Sequence, residues 1–192
     1  MKKILIGTHN KGKFKEISFL IAKKYKKINP VSIKIPSPKE TGRTFVSNSK
    51  LKANFFSKYV KYPVISDDSG LCIKALNQRP GIYSARLAKK HGSFFKAMKH
   101  ILKKMKNKKN RTATFVCCLS FKSPRKKMIN VVGKVRGTIS YKILGKNGFG
   151  YDPIFIPINE KKTFGQMKKS LKIKRDHRFI AFKNLKKKIK TL

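Results

Sequence analysis

Short alternating apolar runs and helical spacings of apolar residues take turns along the chain. Lys3 to Gly7 reads as a buried strand, and Phe14, Ile17 and Ile21 then share one face of a helix. Val31 to Ile35 alternates as a second strand. Thr44 is placed to cap a helix running to about Val60, with Leu51 and Phe55 as an apolar pair. Pro63 to Ser66 reads as a strand that ends at Asp67-Asp68-Ser69-Gly70. A helix carrying Phe94, Phe95, Met98, Ile101, Leu102 and Met105 follows. Residues 112–121 and 128–143 alternate like neighbouring long strands joined through Pro124. Gly145 to Gly148 reads as a turn, and a last helix covers roughly Arg178 to Ile189. Strands interleaved with helices, without repeat or linker, predict one mixed α/β domain over residues 1–192.

Composition alters this picture mainly through charge. Fifty Lys and Arg stand against seven Asp and Glu, a formal net charge of +43. Such a balance ordinarily points to nucleic acid. Here 42 of the cations are Lys, scattered along the whole chain, whereas base readout favours the bidentate Arg fork. Drift toward Lys, Ile, Asn and Phe explains the charge better, and only non-specific nucleic-acid binding is expected. The 40% apolar content suffices for a core. No apolar run approaches the roughly 18 residues of a membrane span. Three cysteines, Cys72, Cys117 and Cys118, fit neither a disulfide framework nor a zinc motif, and Cys117 and Cys118 read as packing residues. A reduced, cytoplasmic setting is the expectation.

In a chain so rich in Lys the surviving acids are informative. They are Glu16, Glu40, Asp67, Asp68, Asp152, Glu160 and Asp176. Adjacent side chains on a strand point to opposite faces, so Asp67 and Asp68 are expected to do different work. A carboxylate at a strand end suits Mg²⁺, which takes oxygen ligands and keeps several waters; capping of a turn is the plainer reading. Thr8-His9-Asn10-Lys11-Gly12-Lys13 lies between a strand and a helix N-terminus, where backbone N–H groups and the dipole favour phosphate. Gly148-Phe149-Gly150-Tyr151-Asp152-Pro153 sets two aromatics and an acid among glycines, a pattern suited either to stacking on a base or to covering a core edge.

Together these segments form a longer pattern. Thr8-x-Asn10-x-x-Lys13, Glu40-Thr41-Gly42-x-Thr44-Phe45, Asn48, Lys52-Ala53, Asp67-Asp68-Ser69-Gly70-Leu71, Pro80-Gly81-Ile82-Tyr83-Ser84-Ala85-Arg86, Gly148 to Phe155 and His177-Arg178 occur in that order. The chain thereby resembles the inosine/xanthosine triphosphate pyrophosphatase family from Ile4 to the last helix. The resemblance implies an elongated, two-lobed α/β structure around a mixed twisted sheet flanked by helices, and a homodimer. It implies hydrolysis of ITP, dITP and XTP to the monophosphate and pyrophosphate with Mg²⁺. By the same resemblance Thr8, Asn10 and Lys13 hold the triphosphate and Lys52 adds charge to that catalytic region. Asp68 is metal ligand and general base, and Ser69 contacts substrate. Phe149 stacks on the purine, Gly150, Tyr151 and Asp152 complete the wall, Lys172 touches substrate, and His177 and Arg178 read the 6-keto group.

The pattern is broken at three places. Ser47 stands where the family has a Glu before Asn48, a second metal-binding acid; Gln166 replaces another acid, and Asp176 replaces the Ser before His177. The alternatives are a Maf-like nucleotide pyrophosphatase and a cationic nucleic-acid-binding relative with weakened turnover.

Overall fold

The computed structural model describes residues 1–189. In chain order the strands and helices are β1 (Lys2–Gly7), α1 (Lys11–Leu20), β2 (Tyr25–Ile28), α2 (Phe45–Ser57), β3 (Val64–Ile73), β4 (Arg79–Pro80), α3 (Ser84–Lys90), α4 (Phe94–Lys104), β5 (Thr112–Lys122), β6 (Ile129–Ile139), β7 (Phe155–Pro157), α5 (Lys169–Lys172) and α6 (His177–Lys188). The sheet order is β2-β1-β3-β5-β6-β7, with β4 paired to β3. It is mixed. β1 runs parallel to β2, with Leu5 opposite Ile28, and parallel to β3, with Gly7 opposite Ser66. β3 with β4 and β6 with β7 are antiparallel.

The chain forms two compact units. The first comprises Met1–Asp68, Cys117–Gly133 and a C-terminal segment from Arg178; the second comprises Ser69–Val116 and Lys134–His177. In the first unit strand periodicity sorts the core directly. Ile4, Ile6 and Ile65 pack with Ile17 of α1 and Leu185 of α6. Leu5 and Val64, on the opposite parity, pack with Phe56 of α2 and Ile35. In the second unit Phe115, Phe155 and Phe164 form an aromatic group, with centroids 4.5 Å apart for the first pair and 5.4 Å for the second and third.

Several expectations are corrected. Residues 31–35 are not a strand: Pro30–Ile33 is a single 3₁₀ turn. Asn29 caps it by accepting from Val31 N–H, and Pro30 takes the first position, where a missing N–H costs nothing. The strand of this region lies earlier, in Tyr25–Ile28, hidden from a hydrophobicity pattern by two lysines. β3 does not end at Ser66 but runs through the Asp pair to Ile73. Gly70 is small there because a Cβ would stand 2.1 Å from the Gly81 carbonyl oxygen. β6 stops at Ile139, short of the expected 143. Beyond that point buried Arg111 occupies the carbonyls of Ile139 at 2.6 Å and Ser140 at 2.7 Å. Cys117 packs in the first unit's core as expected, and Cys118 is buried against the Ser49 hydroxyl at 3.0 Å. No helix among the described residues is long and apolar enough to cross a membrane.

Candidate active site

In the first unit β1 delivers Thr8 to Asn10 to the start of α1. Asn10 caps the helix, accepting from Lys13 N–H at 3.0 Å, and its own N–H donates to Thr8 Oγ1 at 3.2 Å. The helix of ten residues thus presents its N-terminal N–H groups beside Lys13. Thr8, Asn10 and Lys13 thus stand together at this strand-to-helix turn.

Asp67 and Asp68 do separate, as their strand positions require. Asp67 Oδ2 lies 3.1 Å from Lys13 Nζ and 3.8 Å from Arg178 Nε. Burial alone would push the Asp67 carboxyl upward, yet Lys13, Lys52 and Arg178 outweigh it and hold it at about 2. Asp68 accepts from Asn48 Nδ2 at 3.1 Å. Its carboxyl sits above the ordinary range: burial raises it, Lys13 and Lys52 pull it down, and the nearby Glu40 charge pushes it up again. Asn48 is itself fixed, because Gly42 N–H donates to its Oδ1 at 2.8 Å. Lys52 donates to Glu40 Oε1 at 2.7 Å. Burial disfavours the charged Lys52, but Asp67, Asp68 and Glu40 together keep its affinity for the proton above that of a solvated lysine.

Glu40, quoted in the motif pattern but given no role there, is therefore a functional candidate. Its signal was available: it is one of seven acids, just ahead of Thr41-Gly42. Position 47, where a second metal-binding acid was expected, has another task. Ser47 and Thr44 form a reciprocal capping box at the start of α2, with Ser47 N–H donating to Thr44 Oγ1 at 3.0 Å and Thr44 N–H to Ser47 Oγ at 2.9 Å. Among the described residues no group of three or more His, Cys, Asp or Glu is arranged to hold a metal. Asp68 and Glu40 supply two carboxylates whose charges act on each other, which suits a hard cation completing its shell with water and phosphate oxygens.

The second unit holds the aromatic and glycine motif. Gly148 and Gly150 both have positive φ, and a Cβ on Gly148 would stand 2.1 Å from Asp152 Oδ2. That oxygen accepts from Phe149 N–H at 2.9 Å, closing a tight turn that leaves the Phe149 ring half-buried. Lys172 is buried with its ammonium 3.4 Å from Asp152, 3.1 Å from Asp176 and 5.3 Å from the Phe149 ring centre. His177 lies flat on Phe115, centroids 4.7 Å apart and planes 7° apart. Ser69, half-buried on β3, directly follows Asp68.

Two expected side chains are placed differently from the rest. Tyr151, expected to help complete the wall, is buried: it packs edge-on against Phe94 and donates its hydroxyl to the Ser84 carbonyl at 2.8 Å. Burial also raises its phenol far above the ordinary value. Arg178 is buried in the first unit, donating to Glu16 Oε2 at 2.8 Å beside Asp67.

Known proteins resemble this chain from end to end. A dITP/XTP pyrophosphatase of Caulobacter vibrioides is 38% identical over 186 residues, covering 96% of both chains. The structure of the Staphylococcus aureus Ham1 protein superposes with a TM-score of 0.87 at 37% identity over 98% of each chain. A HAM1 protein from Coxiella burnetii gives 0.89 at 30% identity over the whole of both. The Ham1 family model matches residues 4–188, which takes in every motif described above. The chain belongs to the Ham1 family.

Proposed function

We propose that this protein hydrolyses non-standard purine nucleoside triphosphates (ITP, dITP and XTP) to the monophosphate and pyrophosphate. The observation that carries the reading is the division of labour between Asp67, tied to Lys13, and Asp68, tied to Asn48 and close to Glu40. The relatives bearing the name dITP/XTP pyrophosphatase support the substrate class.

The first unit's residues serve the triphosphate. The capped N-terminus of α1, Lys13 and Lys52 bind its oxygens, and burial strengthens those contacts relative to water. Asp68 accepts a proton from the attacking water. That water's oxygen bonds to the α-phosphorus, and the bond from that phosphorus to the bridging oxygen breaks. Pyrophosphate leaves with the electron pair. Asn48 fixes the Asp68 oxygen that stays hydrogen-bonded and so orients the base. Asp68 and Glu40 would hold Mg²⁺, which when bound neutralises phosphate charge.

The second unit's residues serve the base. Phe149 offers a stacking face, with Gly150 leaving room beside it, and Lys172 and His177 supply polar groups for the purine edge. Donors suited to a 6-keto oxygen would face the amino group of adenine and be left unpaired, a cost of about 1–3 kcal/mol each. A cytoplasmic homodimer is the setting the family resemblance implies.

The test is a nucleotide panel with Mg²⁺, read by pyrophosphate release. ITP, dITP and XTP should turn over much faster than ATP or GTP. Equal rates on all five would remove the specificity claim, and no release at any Mg²⁺ concentration would remove the enzymatic one.

A further inference from the structure

We infer that the second unit carries a further binding site, for a nucleobase joined to a phosphate, built on Tyr141, Arg111, Lys109 and Lys142. It is independent of the proposed function, and none of the residues lining it has a role there.

The site is a cavity of about 590 Å³ lined by the start of β5, the end of β6 and the segment that follows. Ile139, Leu144 and the Tyr141 ring give it apolar walls, and Lys109 and Lys142 are its exposed cations. Arg111 also lines it and is only 9% exposed. A guanidinium has five N–H donors. The carbonyls of Met105, Ile139 and Ser140 accept from Arg111 at 3.0, 2.6 and 2.7 Å, and all three acceptors are neutral. Lys52, Lys172 and Arg178, the other buried Lys and Arg among the described residues, each have a carboxylate partner. Arg111 has none among the described residues. A buried cation without a counter-charge favours an anion in the same place.

Tyr141 supplies the other half of the argument. Its ring is 79% exposed, and the Arg111 guanidinium carbon stands 4.1 Å from the ring centre. One face therefore lies on the cation and the other is open to solvent. Because that contact already fixes the ring, a base stacks on the open face with little further ordering. Lys109 and Lys142 act on a phosphate as point charges, without demanding one geometry. A bare phosphate would leave the Tyr141 face unused, and a neutral aromatic would leave the cations unanswered. A base joined to a phosphate answers both. Stacking of this kind accepts any base, so the ligand is either a free nucleotide or one nucleotide of a single strand.

The test is calorimetric titration of the full chain, without Mg²⁺, using AMP, adenosine, inorganic phosphate and a short oligothymidylate. AMP should bind more tightly than adenosine or phosphate, by about tenfold or more. Tyr141→Ala should weaken AMP binding about tenfold, the loss of one base–aromatic stack, whereas Tyr141→Phe should hold it within about twofold. Replacing both lysines, Lys109→Ser with Lys142→Ser, should weaken AMP and flatten the salt dependence of its binding. Pyrophosphate release from ITP should stay within about twofold in every variant, since exposed positions outside the proposed site are changed. An oligothymidylate that binds more tightly than AMP, and loses as much with Tyr141→Ala, identifies a single strand as the source. The reverse order identifies a free nucleotide. Phosphate binding as tightly as AMP overturns the inference, because a diffuse cationic surface would then suffice. So does AMP binding that ignores Tyr141→Ala, including the case where that variant instead alters the oligomeric state in light scattering and assigns the face to a second copy. Should the wild-type chain release no pyrophosphate, the activity reading fails, while the AMP titration still decides this one.

Discussion

Glu40 accepts a hydrogen bond from Lys52 at 2.7 Å, and the same carboxylate acts on Asp68, the residue assigned as general base. One acid thus holds the lysine proposed to bind phosphate and adds negative charge beside the proposed general base.

Glu40→Gln should raise the Mg²⁺ concentration for half-maximal rate by about tenfold, since a carboxylate ligand becomes a neutral amide. Binding of Mn²⁺ to the nucleotide-free protein, followed by electron paramagnetic resonance, should weaken in parallel. Ser47→Glu should leave both titrations within about twofold, because Glu at that position can complete the same capping box. A large gain from Ser47→Glu would return the second acid to position 47.

Asp67 and Asp68 should respond oppositely to neutralisation. Asp67 is held at about 2 against an ordinary 3.8, so the unfolded chain binds its proton more readily. Its contribution, about 2 kcal/mol, is fully present above pH 4 and fades as pH falls toward 2. Asp67→Asn should lower stability by about that amount at neutral pH and flatten the acid limb of a denaturation series. Asp68 is shifted upward, so its ionised form costs stability at neutral pH. Asp68→Asn should leave the fold as stable or more so while abolishing turnover.

Tyr151→Phe separates framework from site. The variant removes the bond to the Ser84 carbonyl and leaves that acceptor buried, a loss of about 1–3 kcal/mol by urea unfolding. The rate on ITP should stay within about twofold. A loss of turnover at unchanged stability would put the Tyr151 hydroxyl back among the substrate contacts.

Local pattern carried far where one residue's surroundings were its own element. The Asn10 and Thr44 caps, the parity of Ile4 to Ile6 and the divergence of Asp67 from Asp68 all follow from helix and strand geometry. It failed where distant segments decide. Ser69-Gly70 looks like turn chemistry, yet Gly70 is small because Gly81 approaches it and Leu71 N–H meets Ser84 Oγ at 3.0 Å, contacts no local window contains. The glycines beside Tyr151 left stacking on a base and covering a core edge equally open, and the hydroxyl that ties its ring inward bonds a residue 67 positions away. The motif led to Arg178, but its partner Glu16 lies 162 positions earlier, so that ion pair was not legible.

The ion pairs also set a limit on how basic this chain can become. Among the described residues Glu16 is matched to Arg178, Glu40 to Lys52, Asp67 to Lys13, Asp152 and Asp176 to Lys172, and Glu160 to Arg175. Exchange of an exposed polar residue for lysine is nearly neutral, and such exchanges can accumulate over the surface. Exchange of Glu16, Glu40 or Asp67 would instead set two cations against each other in the interior, where they repel strongly. Mutational tolerance in this protein should accordingly follow depth more than charge. A library that converts single positions to lysine should return nearly all surface variants folded and lose those at the partners of buried cations.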